Sequence, residues 1–277
     1  MKTTQRKITA LHIFLFVATL VTTLIAGALQ QGVNVLNDPL SIWQGIPFSF
    51  SLIIILGTHE LGHYIMSRRH HVDVTLPYFI PAPSFIGTFG AVIKLKSPLY
   101  DRRTLLDIGV AGPFAGLIVA VPILAVGLSL SEIVPYSGEE GIRLGTCLLF
   151  SIMNWIINGP MPENASLMLH PVAFSGWIGL LVTALNLLPV GQLDGGHVAY
   201  AIFGRRQRLI ARVFMAILLF LGALGWTGWF VWFALLLFIG IDHPPVTYGW
   251  IGLDGKRRLA GWIAIIVFAV TFMPAPF

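Results

Sequence analysis

Apolar stretches succeed one another along most of this chain, near Ile8–Leu29, Ile46–Met66, Leu105–Leu130, Pro171–Leu188, Leu209–Leu224, Trp226–Ile241 and Leu259–Phe277. About 20 apolar residues in a helix cross the hydrocarbon core of a bilayer. The expectation is an all-α integral membrane bundle of about six or seven transmembrane helices. Composition agrees, since 56% hydrophobic and 10% charged residues with a mean hydropathy of +0.83 exclude an ordinary soluble chain. The sixth stretch is short and joined to the fifth by Gly225-Trp226-Thr227-Gly228, which predicts a helical hairpin. A further stretch, Leu144–Ile157, is too short for a span and reads as interfacial or re-entrant.

The net charge of +5 raises nucleic acid as a partner, and the positions of the basic residues dismiss it. If seven segments cross, Lys2, Arg6, Lys7, Arg68, Arg69, Lys94, Lys96, Arg102, Arg103, Arg205, Arg206, Arg208, Lys256, Arg257 and Arg258 fall on one face, with only Arg143 opposite. Asp38, Glu132, Glu139, Glu140 and Glu163 fall on the other. That asymmetry is the positive-inside pattern of a multi-pass protein. The first stretch reads as a retained anchor over 8–29, with a cleaved signal peptide ending near Ala26-Gly27-Ala28 as the rival. Between the second and third stretches, 70–103 is rich in Pro, Gly and β-formers. Thr88–Lys96 alternates as a strand does, predicting a small β-hairpin or edge strand at the membrane surface.

Chemistry concentrates where the second stretch ends, in Gly57-Thr58-His59-Glu60-Leu61-Gly62-His63. Residues i and i+4 share a helix face, so His59 and His63 can offer two imidazoles to one metal with Glu60 beside the remaining position. At this composition a chance H-E-x-x-H is expected about 0.004 times. A carboxylate and two imidazoles inside a membrane helix are costly and mark function; the plainer alternative is a hydrogen-bonded contact between helices. The lone cysteine, Cys147, excludes both a disulfide framework and a thiolate cluster, leaving nitrogen and oxygen ligands.

A catalytic zinc site generally takes three protein ligands and a water. The fourth stretch closes with Asn186-Leu187-Leu188-Pro189-Val190-Gly191-Gln192-Leu193-Asp194-Gly195-Gly196-His197, in which proline and glycines break the helix around an acid. Broken backbone at membrane depth is tolerated only where it is buried in protein or lines a watery cavity. Asp194 is therefore the candidate third ligand. His197 is a ligand or a supporting donor; Asp107 and Asp242 read as caps or ion-pair partners; His70 and His71 as solvated; His12, His170 and His243 as isolated structural histidines.

These two segments resemble the signatures of the site-2 protease family of intramembrane zinc metalloproteases, HExxH and Asn-x-x-Pro-x-x-x-Leu-Asp-Gly, intact here as His59–His63 and Asn186–Gly195. Phe89-Gly90-Ala91-Val92, Ala111-Gly112-Pro113-Phe114-Ala115-Gly116 and Leu188–Gly196 are similar to the branch with cyanobacterial and plastid members. The likeness covers roughly Gly57–Gly204. It departs from many bacterial relatives, since Ser131–Pro171 is too short for a PDZ domain and no CBS pair is visible.

The resemblance implies one Zn²⁺ held by His59, His63 and Asp194, Glu60 as the catalytic base, and Asn186 on the substrate or oxyanion, with a helix-end cap as the other reading of Asn186. It implies a single polytopic membrane protease domain over 1–277, with a catalytic core at about 46–204, the anchor helix 8–29 and C-terminal helices 209–277. The expected activity is peptide-bond hydrolysis within or near transmembrane helices, on single-span membrane protein substrates in the lipid bilayer. An upstream site-1-type protease is an implied partner. A membrane metal-ion transporter and an inactive protease-derived scaffold are the alternatives. With no Ser- and Arg-rich transit segment, the expected location is a prokaryotic inner membrane, with the site near the cytoplasmic face.

Overall fold

A computed structural model describes residues 8–135, 143–162 and 164–277. The expected placements of Lys2, Arg6, Lys7, Glu139, Glu140 and Glu163 lie outside them. The chain is mostly helical. In order it forms α1 (Ala10–Gln30), a 3-10 turn (Pro39–Gly45), α2 (Ile46–Arg69), β1 (Tyr78–Pro81), β2 (Thr88–Val92) and α3 (Arg102–Ser129). There follow β3 (Glu132–Pro135), α4 (Leu148–Asn158), β4 (Ala165–Met168), α5 (Pro171–Asn186), α6 (Asp194–Phe203), α7 (Gln207–Leu224), α8 (Gly228–Ile239) and α9 (Gly255–Thr271).

Among the described residues, four helical segments are long and apolar enough to cross a membrane: Ala10–Gln30, Pro39–Arg69, Arg102–Ser129 and Asp194–Leu224. Leu148–Asn158, Pro171–Asn186 and Gly228–Ile239 are apolar but shorter. Length alone therefore does not yield the expected six or seven spans. The breakers explain the difference: the segment after Asn186 carries Pro189 and Gly191, and α8 stands between Gly225 and Gly240. The expected interfacial stretch at 144–157 is the 11-residue α4. The fifth stretch does not stand alone, because α6 precedes it through only a 3-10 turn at Gly204–Arg206.

The chain divides into two compact units. One holds the described residues up to Pro98 together with Ala115–Ile133 and Leu167–Gly179. In it α1 and α2 cross at bare backbone, where a Cβ on Gly45 would lie 1.9 Å from the Leu24 carbonyl oxygen. Thr23 and Ser49 hydroxyls meet beside this contact at 2.7 Å. Small residues at such crossings let helices approach closely where water supplies no hydrophobic drive. Phe174 of α5 stacks between Phe48 and Trp177. The expected hairpin is present: β1 and β2 pair antiparallel, Tyr78 opposite Val92 and Ile80 opposite Gly90. Strand β2 ends at Val92, short of the expected Lys96, although a single bridge from Val74 to Leu95 prolongs the pairing.

The second unit holds the described residues of Leu99–Phe114, Val134–Ser166 and Leu180–Phe277. Asp101 opens α3 by accepting from the Arg103 and Thr104 backbone N–H groups. Two apolar clusters build its core: Leu105, Leu106, Val110, Leu187, Val198 and Ala201 in one, and Leu188, Val190, Ala211, Met215, Leu218 and Trp229 in the other. Both enclose residues of the broken segment after α5, so the loop bearing the candidate third ligand is part of the core.

Candidate metal centre

The α2 helix continues unbroken through the H-E-x-x-H segment, which places His59 and His63 one turn apart on a face the fold buries. Their Nε2 atoms are 3.2 Å apart and the rings meet edge to face. Two imidazole nitrogens bound at about 2.0–2.1 Å to one tetrahedral zinc ion stand roughly 3.3 Å apart. The pair therefore fits a shared zinc. Glu60, between them in sequence, is also buried at 7% exposure. A buried carboxylate in an apolar helix is costly unless it is hydrogen-bonded or paired.

Gly116 of α3 backs the first imidazole. A Cβ there would stand 3.1 Å from the His59 Cβ and 3.2 Å from its Nδ1, so only glycine leaves the ring its full space. The Ala111–Gly116 segment was legible as a resemblance, but its contact with His59 was not.

In the second unit, Asn186 closes α5 and Asp194 opens α6. Asp194 has no side-chain cap before it and sits in the first helical turn, where the helix dipole favours a carboxylate. The intervening turn is pressed against its neighbours. A Cβ on Gly195 would lie 1.9 Å from the Leu187 carbonyl oxygen, and Gly191, at φ +56, faces the Gly240 carbonyl oxygen at 2.2 Å from where a Cβ would be. Both glycines are required by close approach. Asn186 and Asp194 are half-buried.

The remaining candidates sort clearly. Asp107 is an ion-pair partner of Arg257, whose Nη2 donates to it at 2.7 Å and Nε at 3.0 Å. Arg102 instead donates to the Ala201 and Ile202 carbonyls at the end of α6. Asp242 pairs with Arg208 at 3.5 Å. His12 stacks on Tyr78 and His170 accepts from the Val172 N–H, both structural roles. His71, exposed two residues beyond the end of α2, stands at φ +56. The reading of His243 as isolated is corrected: it is buried at 4% exposure and hydrogen-bonded to His197 at 2.8 Å. Nothing in the spacing of residues 46 positions apart announces that contact. Burial pushes the His243 imidazole below its usual range, opposed by its hydrogen bond to the Pro244 carbonyl.

Comparison with known proteins identifies the family. The model of peptidase family M50 matches residues 47–224. The chain is 33% identical over 236 residues to a protein of Arabidopsis thaliana named probable zinc metalloprotease EGY1, chloroplastic, covering 83% of this chain and 43% of that protein. The rice (Oryza sativa subsp. japonica) protein of the same name is 34% identical, covering 83% of this chain and 40% of its own length. The Arabidopsis protein named EGY2 is 30% identical over 258 residues, with 90% and 46% covered. The chain thus spans less than half the length of these relatives. Their chloroplastic names run against the expected prokaryotic inner membrane. No solved structure matches. With more than half of its 277 residues matched by the family model, the chain belongs to peptidase family M50, the site-2 protease family.

Proposed function

We propose that this chain is a zinc metalloendopeptidase that hydrolyses peptide bonds within or near the transmembrane helices of membrane-tethered, single-span proteins. The observation that carries the reading is the buried pair of imidazoles in α2, set at the separation a shared tetrahedral zinc requires, with a buried glutamate between them. His59, His63 and Asp194 each offer one ligand atom to a divalent ion, two buried nitrogens and a half-buried oxygen, which suits zinc. Bound there, zinc would supply Lewis acidity, lowering a water's pKa toward about 7 and polarising the scissile carbonyl.

Glu60 takes the proton from the attacking water and delivers it to the leaving amine. Asn186, at the end of α5, is an amide donor suited to the developing oxyanion. An intact transmembrane helix hides its carbonyls in i to i−4 bonds, so a substrate must be extended locally before attack. The hairpin of β1 and β2 is suited to hold such a segment by strand addition at an edge. Both units belong to one proteolytic domain in this reading, working in the bilayer on substrates trimmed first by a site-1-type protease.

The test is Glu60→Gln in purified protein with a single-span substrate. The proposal requires wild-type zinc content and cleavage reduced by about 10²–10⁴-fold, the usual contribution of a general base. Zinc flux through vesicles holding the variant would favour a transporter, and no cleavage by the wild type on any single-span substrate would favour an inactive scaffold.

A further inference from the structure

The turn that carries Asp194 is held from behind by the segment between α8 and α9. The Gly191 N–H donates to the Ile241 carbonyl at 2.8 Å. Gln207, the first residue of α7, has no exposed surface at all. Its Oε1 accepts from the His243 backbone N–H at 3.2 Å, and its Nε2 is 3.4 Å from the Pro189 carbonyl oxygen. The two contacts fix the amide orientation, since a flipped side chain would set acceptor against acceptor and donor against donor.

The histidines add a directional chain. His243 Nδ1 is 2.6 Å from the Pro244 carbonyl, which can only accept, so that nitrogen carries the proton. In the neutral imidazole Nε2 is then an acceptor, and His197 Nδ1, at 2.8 Å, donates to it. His243 is seated by stacking on Tyr200, ring centroids 4.5 Å apart. His197 lies one helical turn after Asp194, and Pro189 and Gly191 lie shortly before it. The segment 241–244 and Gln207 therefore grip the ligand turn on both sides.

We infer that Gln207 and His243 are positioning residues for Asp194: they clamp residues 189–197 so that the carboxylate is presented in one orientation whether or not metal is bound. The inference rests on the zinc reading above. A buried amide is a costly choice for a helix start in an apolar core, where leucine would fill similar volume, and it is kept hydrogen-bonded to both segments, adding to the Gly191–Ile241 and His197–His243 contacts that join them. Supporting contacts around metal ligands commonly change affinity by about 10–100-fold.

The experiment uses the full chain in detergent or bilayer with Gln207→Leu, His243→Phe and Asp194→Ala, the phenylalanine keeping the ring on Tyr200. Zinc affinity is read by chelator competition and cleavage as a function of added zinc. The clamp requires Gln207→Leu and His243→Phe to weaken zinc binding by about tenfold or more, with turnover restored by excess zinc. Loss of a merely structural contact would lower turnover without that rescue. Affinity within twofold of wild type in both variants, while Asp194→Ala loses zinc, overturns the clamp and leaves the zinc reading intact. Wild-type affinity in Asp194→Ala overturns the zinc reading itself. A second measurement needs no variant: in the zinc-free wild type the Gly191 and His243 amides must exchange slowly and at matched rates, and rapid exchange at either one overturns the clamp.

Discussion

His59 and His63 present Nε2 atoms to each other at 3.2 Å across one turn of α2, a separation that suits both a hydrogen bond between the rings and two ligands of one tetrahedral zinc. In the proposed zinc reading both rings bind the ion directly, so each is expected to matter more than a supporting contact would. His59→Ala or His63→Ala should weaken zinc binding by well over the roughly 10–100-fold typical of supporting residues. Metal content of purified protein measured by mass spectrometry is the check. Zinc retained at unit stoichiometry by both variants would sink the assignment.

Gly116 provides a test of how tightly that pair is set. A methyl at this position would be 3.1 Å from the His59 Cβ, a contact the ring must yield to by a few tenths of an ångström. Gly116→Ala should reduce cleavage modestly, and Gly116→Val should destabilise the protein by about 1–3 kcal/mol as an overpacking change. Thermal unfolding and zinc affinity, measured side by side, separate loss of fold from displacement of the ligand.

Strand addition at the hairpin makes a spatial claim. Phe89, in β2, is 77% exposed. A photo-reactive side chain at Phe89 in a Glu60→Gln background should cross-link a bound single-span substrate near its cleavage site. Cross-linking only to lipid would count against edge pairing. Proline at Gly90 is a poor probe by comparison, because φ is +100 there and proline would break the hairpin itself.

How far the sequence revealed this arrangement follows from the range of the signals. The H-E-x-x-H pair was legible because helical periodicity acts over four residues, and the Asp194 turn because proline and glycine announce a break locally. The hairpin was legible from alternation, though not its end at Val92, since the chain beyond continues as a single bridge. Among the described residues four helical segments meet the length of a span and three apolar helices are shorter, because apolarity marks a segment but not where its helix stops. The partners of Asp107, Gln207 and His243 were invisible: each is joined to residues distant in sequence, and Arg257 reaches Asp107 across 150 positions. No periodicity encodes such a meeting.

Acid sensitivity should appear at the start of α9. The Asp254 carboxylate accepts from the Arg257 backbone N–H and from its guanidinium, which together hold its pKa below the usual carboxylate range. A carboxyl group depressed in the folded state stabilises above its unfolded pKa, near 3.9, and that contribution is lost as pH falls through the folded value. Protection of the Arg257 amide, relative to its intrinsic exchange rate, should therefore fall at acid pH in the wild type, whereas Asp254→Ala should lack that protection throughout. An unchanged profile in the variant would refute the cap.

Thr22 of α1 donates its hydroxyl hydrogen to the Gly87 carbonyl at 2.6 Å, and Gly87, at φ +79, leaves no room there even for a methyl. The first helix is thus sewn onto the turn from which β2 departs. Severing α1 after synthesis, by a signal peptidase or any other nick, would loosen the ribbon proposed to receive the unwound substrate. In the proposed function such a cut weakens the hold on substrate, since the strand edge loses the helix that braces it.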